Sequence, residues 1–160
     1  SDCDIDVANL NCPGQTVLSG KEEGIDTAVS KAKEYGLRMG KKLKVAGAYH
    51  SRLMAGAQEQ LGDALASTKF VEPSIPVISN FLAASPEGPD AIRASLKDQV
   101  TGSVRWIESI RLLREQGHDL FIELGPGKVL AGFMARIAKE ARIISIEDAE
   151  SLEAAVAELS

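Results

Sequence analysis

The sequence predicts an α/β protein, a parallel sheet built by strand–helix alternation and preceded by a partial α+β subdomain. Three observations carry that expectation. From residue 43 onward, short apolar runs alternate with amphipathic stretches, the pattern of a parallel sheet covered on both faces. Before residue 43 the order strand–strand–helix–strand is different and reads as part of a smaller α+β unit. The composition, 44% hydrophobic and 26% charged over 160 residues, is that of an ordinary globular chain. Such a length buries roughly 70% of its unfolded surface without metal or disulfide staples.

Each element follows from local signals. Val7–Leu10 and Gln15–Leu18 read as strands around the Pro13-Gly14 turn. Lys21–Tyr35 places Ile25, Ala28, Val29 and Ala32 at helical spacing, with Gly36 as the stop. Leu43–Ala48 reads as a strand running into Tyr49-His50. Leu53, Met54, Ala57, Leu61 and Leu65 make one helix face across Ser51–Ser67. Ile75–Leu82 is expected to be a buried strand, and Pro89–Val100 a helix. Ser103 reads as the N-cap of the next helix, which carries Ile107, Ile110 and Leu113 and stops at Gly117. Leu120–Leu124 is a short strand and Gly125-Pro126-Gly127 a sharp turn. Val129–Ala138 follows as a helix, Arg142–Ile146 as a strand and Ala149–Leu159 as a final helix. In open parallel sheets ligands sit beyond the C-terminal ends of strands, so the loops after Ala48, Leu82 and Leu124 are where a site is expected.

Several function classes are disfavoured. No apolar run approaches the ~20 residues that cross a bilayer, and SDCDIDVANL is acidic where a secretory signal is basic. Cys3 and Cys12 form no CxxC pair and lie far from either histidine, so neither a disulfide framework nor a metal site is expected, and a reducing compartment fits. A net charge of −5 with seven aromatics gives nucleic-acid binding little support. The charge is nevertheless uneven. Residues 31–44 hold six bases and one acid, whereas the last fourteen hold five acids and no base. The basic run is either a solvated face or a landing site for an anionic partner.

His50 is the most informative position. It lies at a predicted strand-to-helix junction, where an imidazole serves as a general base near neutral pH or simply caps and packs locally. His118 follows a helix-stopping glycine and is expected to be exposed. A base needs a nucleophile, and no GxSxG turn is present in the sequence. Cys12 is a weak candidate, because its turn lacks a strand–helix context. Gly125-Pro126-Gly127-Lys128 fails as a phosphate loop, since Val129 follows the lysine too soon. Its backbone N–H groups remain a candidate anion cradle. Gln99 and Asn80 are candidate carbonyl partners for an imidazole N–H.

VANLNCPGQTVLSG, KLKVAGAYHSRLM, SIPVISN, KDQVTGSVRW and FIELGPGKVLAGFMARI stand in the order and spacing of malonyl-CoA:acyl-carrier-protein transacylases. The resemblance covers nearly the whole chain but only the C-terminal half of that family's catalytic domain. It implies an α/β-hydrolase-like sheet over residues 47–160 and a partial ferredoxin-like subdomain over residues 1–46. It implies ping-pong transfer of malonyl from coenzyme A, through a serine ester, to the phosphopantetheine thiol of acyl carrier protein in type II fatty-acid synthesis. In the matching motifs His50 is the general base and Gln99 the residue whose carbonyl orients it. Tyr49 is the aromatic associated with malonyl selectivity, and Asn11 matches an asparagine near the pantetheine channel.

Malonyl-CoA is then a substrate, and neither a bound cofactor nor a metal is implied. The partners implied are acyl carrier protein, approached through Lys41, Lys42, Lys44 and Arg52, and the N-terminal half of the same enzyme. The family's serine, its carboxylate-binding arginine and its oxyanion-hole glutamine belong to that other half. The chain alone is therefore expected to be inactive, and Val7–Leu10 or its neighbours to present an unpaired sheet edge. Two alternatives are a non-catalytic module that docks carrier protein and a piece of a polyketide or fatty-acid synthase acyltransferase domain. No membrane or nucleic-acid partner is implied. Bacterial cytoplasm is the expected location, with plastid and mitochondrion left open.

Overall fold

The computed structural model describes residues 4–160, so Cys3 lies outside the described residues. Strands β1 (Ile5–Cys12) and β2 (Gln15–Gly20) form an antiparallel hairpin closed at Gly14, whose φ is +77°. Helix α1 (Glu22–Lys31) follows, with Glu22 and Glu23 in its first turn and Lys31 in its last, matching the helix dipole. It ends earlier than its apolar periodicity predicts. Gly36, at φ +74°, turns the chain so that the Leu37 N–H returns to the Ala32 carbonyl (3.0 Å).

The C-terminal part is built around a βαβ unit. Strands β3 (Leu120–Leu124) and β4 (Arg142–Ile146) pair in parallel, joined by α5 (Val129–Ile137). Helix α6 (Ala149–Leu159) packs on β4 and opens with a capping box between Asp148 and Ser151. Helices α2 (Ala55–Ser67) and α3 (Gly88–Asp98) pack together, and α4 (Trp106–Glu115) lies against β1 and α5. Ile110, Met134 and Ala138 form the buried core here, covered by Trp106, Leu113, Phe121, Ile137 and Ile143.

Two expected strands do not form. Leu43–Ala48 is irregular, with Leu43 and Val45 exposed, and Ile75–Leu82 carries only an isolated bridge between Ser79 and Ala84. A strand is stable only beside a partner that takes up its N–H and C=O groups. Among the described residues nothing runs beside either segment, and Pro76 supplies no N–H. The parallel sheet is accordingly two strands wide, and Leu120, Ile122 and Leu124 remain exposed on one of its faces.

Two smaller expectations are also corrected. Ser103 does not cap α4, whose N-cap is Arg105. Its hydroxyl instead donates to the Val7 carbonyl (2.5 Å). The Val7–Leu10 edge is not unpaired either. Val104 donates to the Ala8 carbonyl (2.8 Å) and accepts from the Leu10 N–H (2.9 Å), a parallel bridge that ties the hairpin to the α3–α4 loop.

Ile110 is 3% exposed within this core. Truncating it (Ile110→Ala) is expected to lower unfolding free energy by about 2–4 kcal/mol, from lost transfer energy plus the cavity left behind. Chemical denaturation checks this, and a loss below about 1 kcal/mol would contradict the packing described.

Candidate active site

The site is assembled around one imidazole. His50 has φ +57°, a left-handed backbone that few residues other than glycine adopt. The corner is held on both sides. The buried Ser51 hydroxyl donates to the Ala48 carbonyl (2.6 Å) and accepts from the Leu53 N–H (3.3 Å), capping a short 3₁₀ turn, Arg52–Met54, that leads into α2. Asp6 on β1 accepts from the Arg52 main-chain N–H (3.0 Å) and from its Nε (3.2 Å).

The half-buried ring of His50 is gripped by main-chain atoms. Its Nδ1 lies 2.8 Å from the Gln99 carbonyl oxygen and 3.1 Å from that of Gly102. A carbonyl only accepts, so Nδ1 carries the proton and the neutral ring keeps its lone pair on Nε2. Nε2 makes no hydrogen bond to this chain among the described residues. Base and orienting acceptor are thus both in place. Gln99 does meet His50, but through its main-chain carbonyl rather than its side-chain amide. Asn80, the other candidate, instead gives its main-chain carbonyl to the Arg105 N–H (2.8 Å).

The remaining predicted residues are less closely gathered. Tyr49 is exposed, its ring lying over Gly47, where an added Cβ would stand 3.4 Å from Cζ. Asn11 sits half-buried in β1, with no side-chain hydrogen bond to the His50 cluster. The basic patch is partly spent within the fold. Lys42 bridges Asp26 (2.8 Å) and Glu22 (2.6 Å), whose carboxylates hold its ammonium above the usual lysine range, and Arg52 is committed to Asp6. Lys41 and Lys44 are exposed and make no ion pair among the described residues. Gln99 also lines an apolar cavity of about 360 Å³ with Phe70, Val77, Ile78, Ile92 and Leu96. Cys12 is buried beside Gln15, and His118 is exposed.

The α5 N-terminus does hold an anion, but it is the chain's own. Glu123 accepts from the Leu130 N–H (2.8 Å), the Ala131 N–H (3.2 Å) and the Ser145 hydroxyl (2.9 Å), while Glu147 accepts from the Gly127 N–H (3.0 Å). Burial pushes the Glu123 carboxyl upward. Its hydrogen bonds, with the Lys128 charge nearby, outweigh burial and leave it below the ordinary carboxylate range. A free ligand is therefore not needed there. The sequence signal was a lone carboxylate within an otherwise apolar strand, LFIEL.

Residues 2–156 match the acyl transferase domain. The chain belongs to that family. It is 39% identical over 152 residues to the malonyl CoA-acyl carrier protein transacylase of Bacillus subtilis (strain 168), covering 95% of this chain and 48% of that one. Among solved structures, the acyl-carrier-protein-S-malonyltransferase of Bartonella henselae aligns with TM-score 0.90 and 35% identity, over 97% of this chain and 49% of that one. A transacylase solved with a type II polyketide acyl-carrier protein aligns with TM-score 0.93 and 32% identity, over 96% of this chain and 50% of that one. The chain thus spans about half the length of the curated relatives it matches.

Replacing Glu123 with glutamine keeps the shape but sets an amide against N–H donors. Because its folded pKa is depressed, its contribution is full above the reference value of 4.5 and fades as pH falls through the folded value. E123Q is expected to be about 1–2 kcal/mol less stable at pH 7, with the gap closing as pH falls below 4.5 and through the lowered folded value. Melting temperatures of both proteins across that range check it, and a pH-independent gap would contradict it.

Proposed function

We propose that this chain supplies the general base of a malonyl-CoA:acyl-carrier-protein transacylase, and that the rest of the enzyme supplies the serine. The observation that carries the reading is the grip on His50, a proton fixed on Nδ1 and an unengaged Nε2. The family membership and the malonyl transacylases aligned over nearly the whole chain support it.

In this reading Nε2 takes the serine proton as the oxygen attacks the malonyl thioester carbon. The tetrahedral adduct collapses, the C–S bond breaks, and the imidazolium returns its proton to the departing coenzyme A thiolate. The carrier-protein thiol then gives its proton to Nε2 and attacks the serine ester. The expelled serine oxygen recovers that proton. A neutral acceptor on Nδ1 is sufficient because a thioester is easier to cleave than an amide.

Tyr49 narrows the space beside the base and favours malonyl over a substrate with an extra methyl. Asn11 lines the pantetheine approach. Residues 1–46 belong to a ferredoxin-like subdomain and 47–160 to an α/β-hydrolase-like sheet completed by the other half. The acidic carrier protein is steered by Lys41 and Lys44, with Lys42 and Arg52 removed from that role by their internal ion pairs. The solved carrier-protein complex of a relative supports that class of partner.

The reading is tested on the full-length protein by malonyl transfer from coenzyme A to holo carrier protein. His50→Ala is expected to lose about 10²–10⁴-fold in rate. Gln99→Ala, which leaves its main-chain carbonyl in place, is expected to stay within about tenfold of the parent. Near-normal turnover without the imidazole would defeat the assignment. The 160-residue chain by itself is expected to take no stable label from malonyl-CoA, and labelling would reveal a nucleophile within it.

A further inference from the structure

His50 has two acceptors, and the second belongs to a glycine whose lack of a side chain is not explained by its backbone. Gly102 is not among the glycines with positive φ. What it needs is room. A Cβ built on it would stand 2.3 Å and 2.4 Å from Cδ2 and Cε2 of Phe81 and 2.9 Å from the Asp98 carbonyl oxygen. Contacts this short require something to move. The Asp98 carbonyl cannot move freely, because it accepts from the Gly102 N–H (2.9 Å) at the end of α3. The half-buried Phe81 belongs to the turn closed by the Ser79–Ala84 bridge.

The loop from Gln99 to Arg105 is fixed on both flanks. Ser103 and Val104 are bonded to Val7, Ala8 and Leu10 of β1, and the Arg105 N–H to the Asn80 carbonyl. Pinned in this way, the loop cannot absorb a side chain at 102 by sliding outward. The displacement falls on the 98–102 turn, which carries both carbonyls that hold the ring.

We propose that Gly102 is a positioning residue for His50: its bare Cα lets the Phe81 ring seat against the 98–102 turn, so that the Gln99 and Gly102 carbonyls reach Nδ1 together and fix the tautomer. The consequence for transfer rests on the function proposed above, but the tautomer lock does not.

The test is nitrogen NMR of the full-length protein labelled with ¹⁵N-histidine, at a pH where the ring is neutral. The His50 signals are identified by their loss in His50→Asn, a residue that also tolerates a left-handed backbone. The parent is expected to show a single Nδ1–H tautomer at His50. Gly102→Ala is expected to lose that pattern and move toward the mixed pattern of the exposed His118. Phe81→Ala with Gly102→Ala removes the two shortest contacts and leaves the 2.9 Å one to the Asp98 carbonyl, so it is expected to recover part of that pattern, and it serves as the deciding variant if Gly102→Ala alone does not fold. An unchanged spectrum in Gly102→Ala would overturn the proposal, as would a double variant as fully mixed as His118. A locked tautomer in a protein that transfers malonyl equally well without His50 would overturn the catalytic reading and leave the positioning role standing.

Discussion

A single imidazole held by two main-chain carbonyls organises this part of the molecule. The grip requires three chain segments that are distant in sequence. The 48–52 corner presents the ring, the end of α3 presents the Gln99 carbonyl, and the loop before α4 presents that of Gly102. The hairpin at the N-terminal end takes part as well, through Asp6 on Arg52 and through the β1 bridge to Val104. Moving any of these elements moves the proton donor or its acceptors. A histidine at φ +57° costs of order 1 kcal/mol in backbone strain, and such strain persists where its surroundings over-determine it. The surroundings do so here.

A second constraint operates at the other end of the βαβ unit. Glu123 points from β3 into the N-terminus of α5 and also meets Ser145 on β4, so one carboxylate joins all three elements. It offsets the positive end of the helix without a ligand, while Glu147 holds the Gly127 N–H in the turn between strand and helix. A glycine-rich turn before a helix therefore has a structural meaning here, although the same chemistry elsewhere binds phosphate.

Periodicity made the helices legible. Ile110 and Leu113 lie on the predicted face, Gly117 ends α4 at φ +89°, and the Gly-Pro-Gly turn falls where expected. The two lost strands were misread because apolar runs report a preference for burial, not the presence of a neighbour. Leu43, Val45, Ile75 and Val77 have that preference and no partner strand among the described residues. The position of His50 in the chain pointed to the site. The clamp on its ring was not legible, since a main-chain carbonyl has no residue identity, and neither was the role of Gly102, which depends on Phe81 twenty-one positions earlier. Ser103 carried a capping signature but found a better acceptor in β1.

The central claim is that the free nitrogen of His50 meets a hydroxyl belonging to polypeptide outside this chain. A crystal structure of the full-length protein tests it at one distance. The account predicts His50 Nε2 within about 2.6–3.2 Å of a serine oxygen, with Nδ1 still on the two carbonyls. A ring turned away from every hydroxyl, or one whose Nε2 is packed against aliphatic groups, would contradict it.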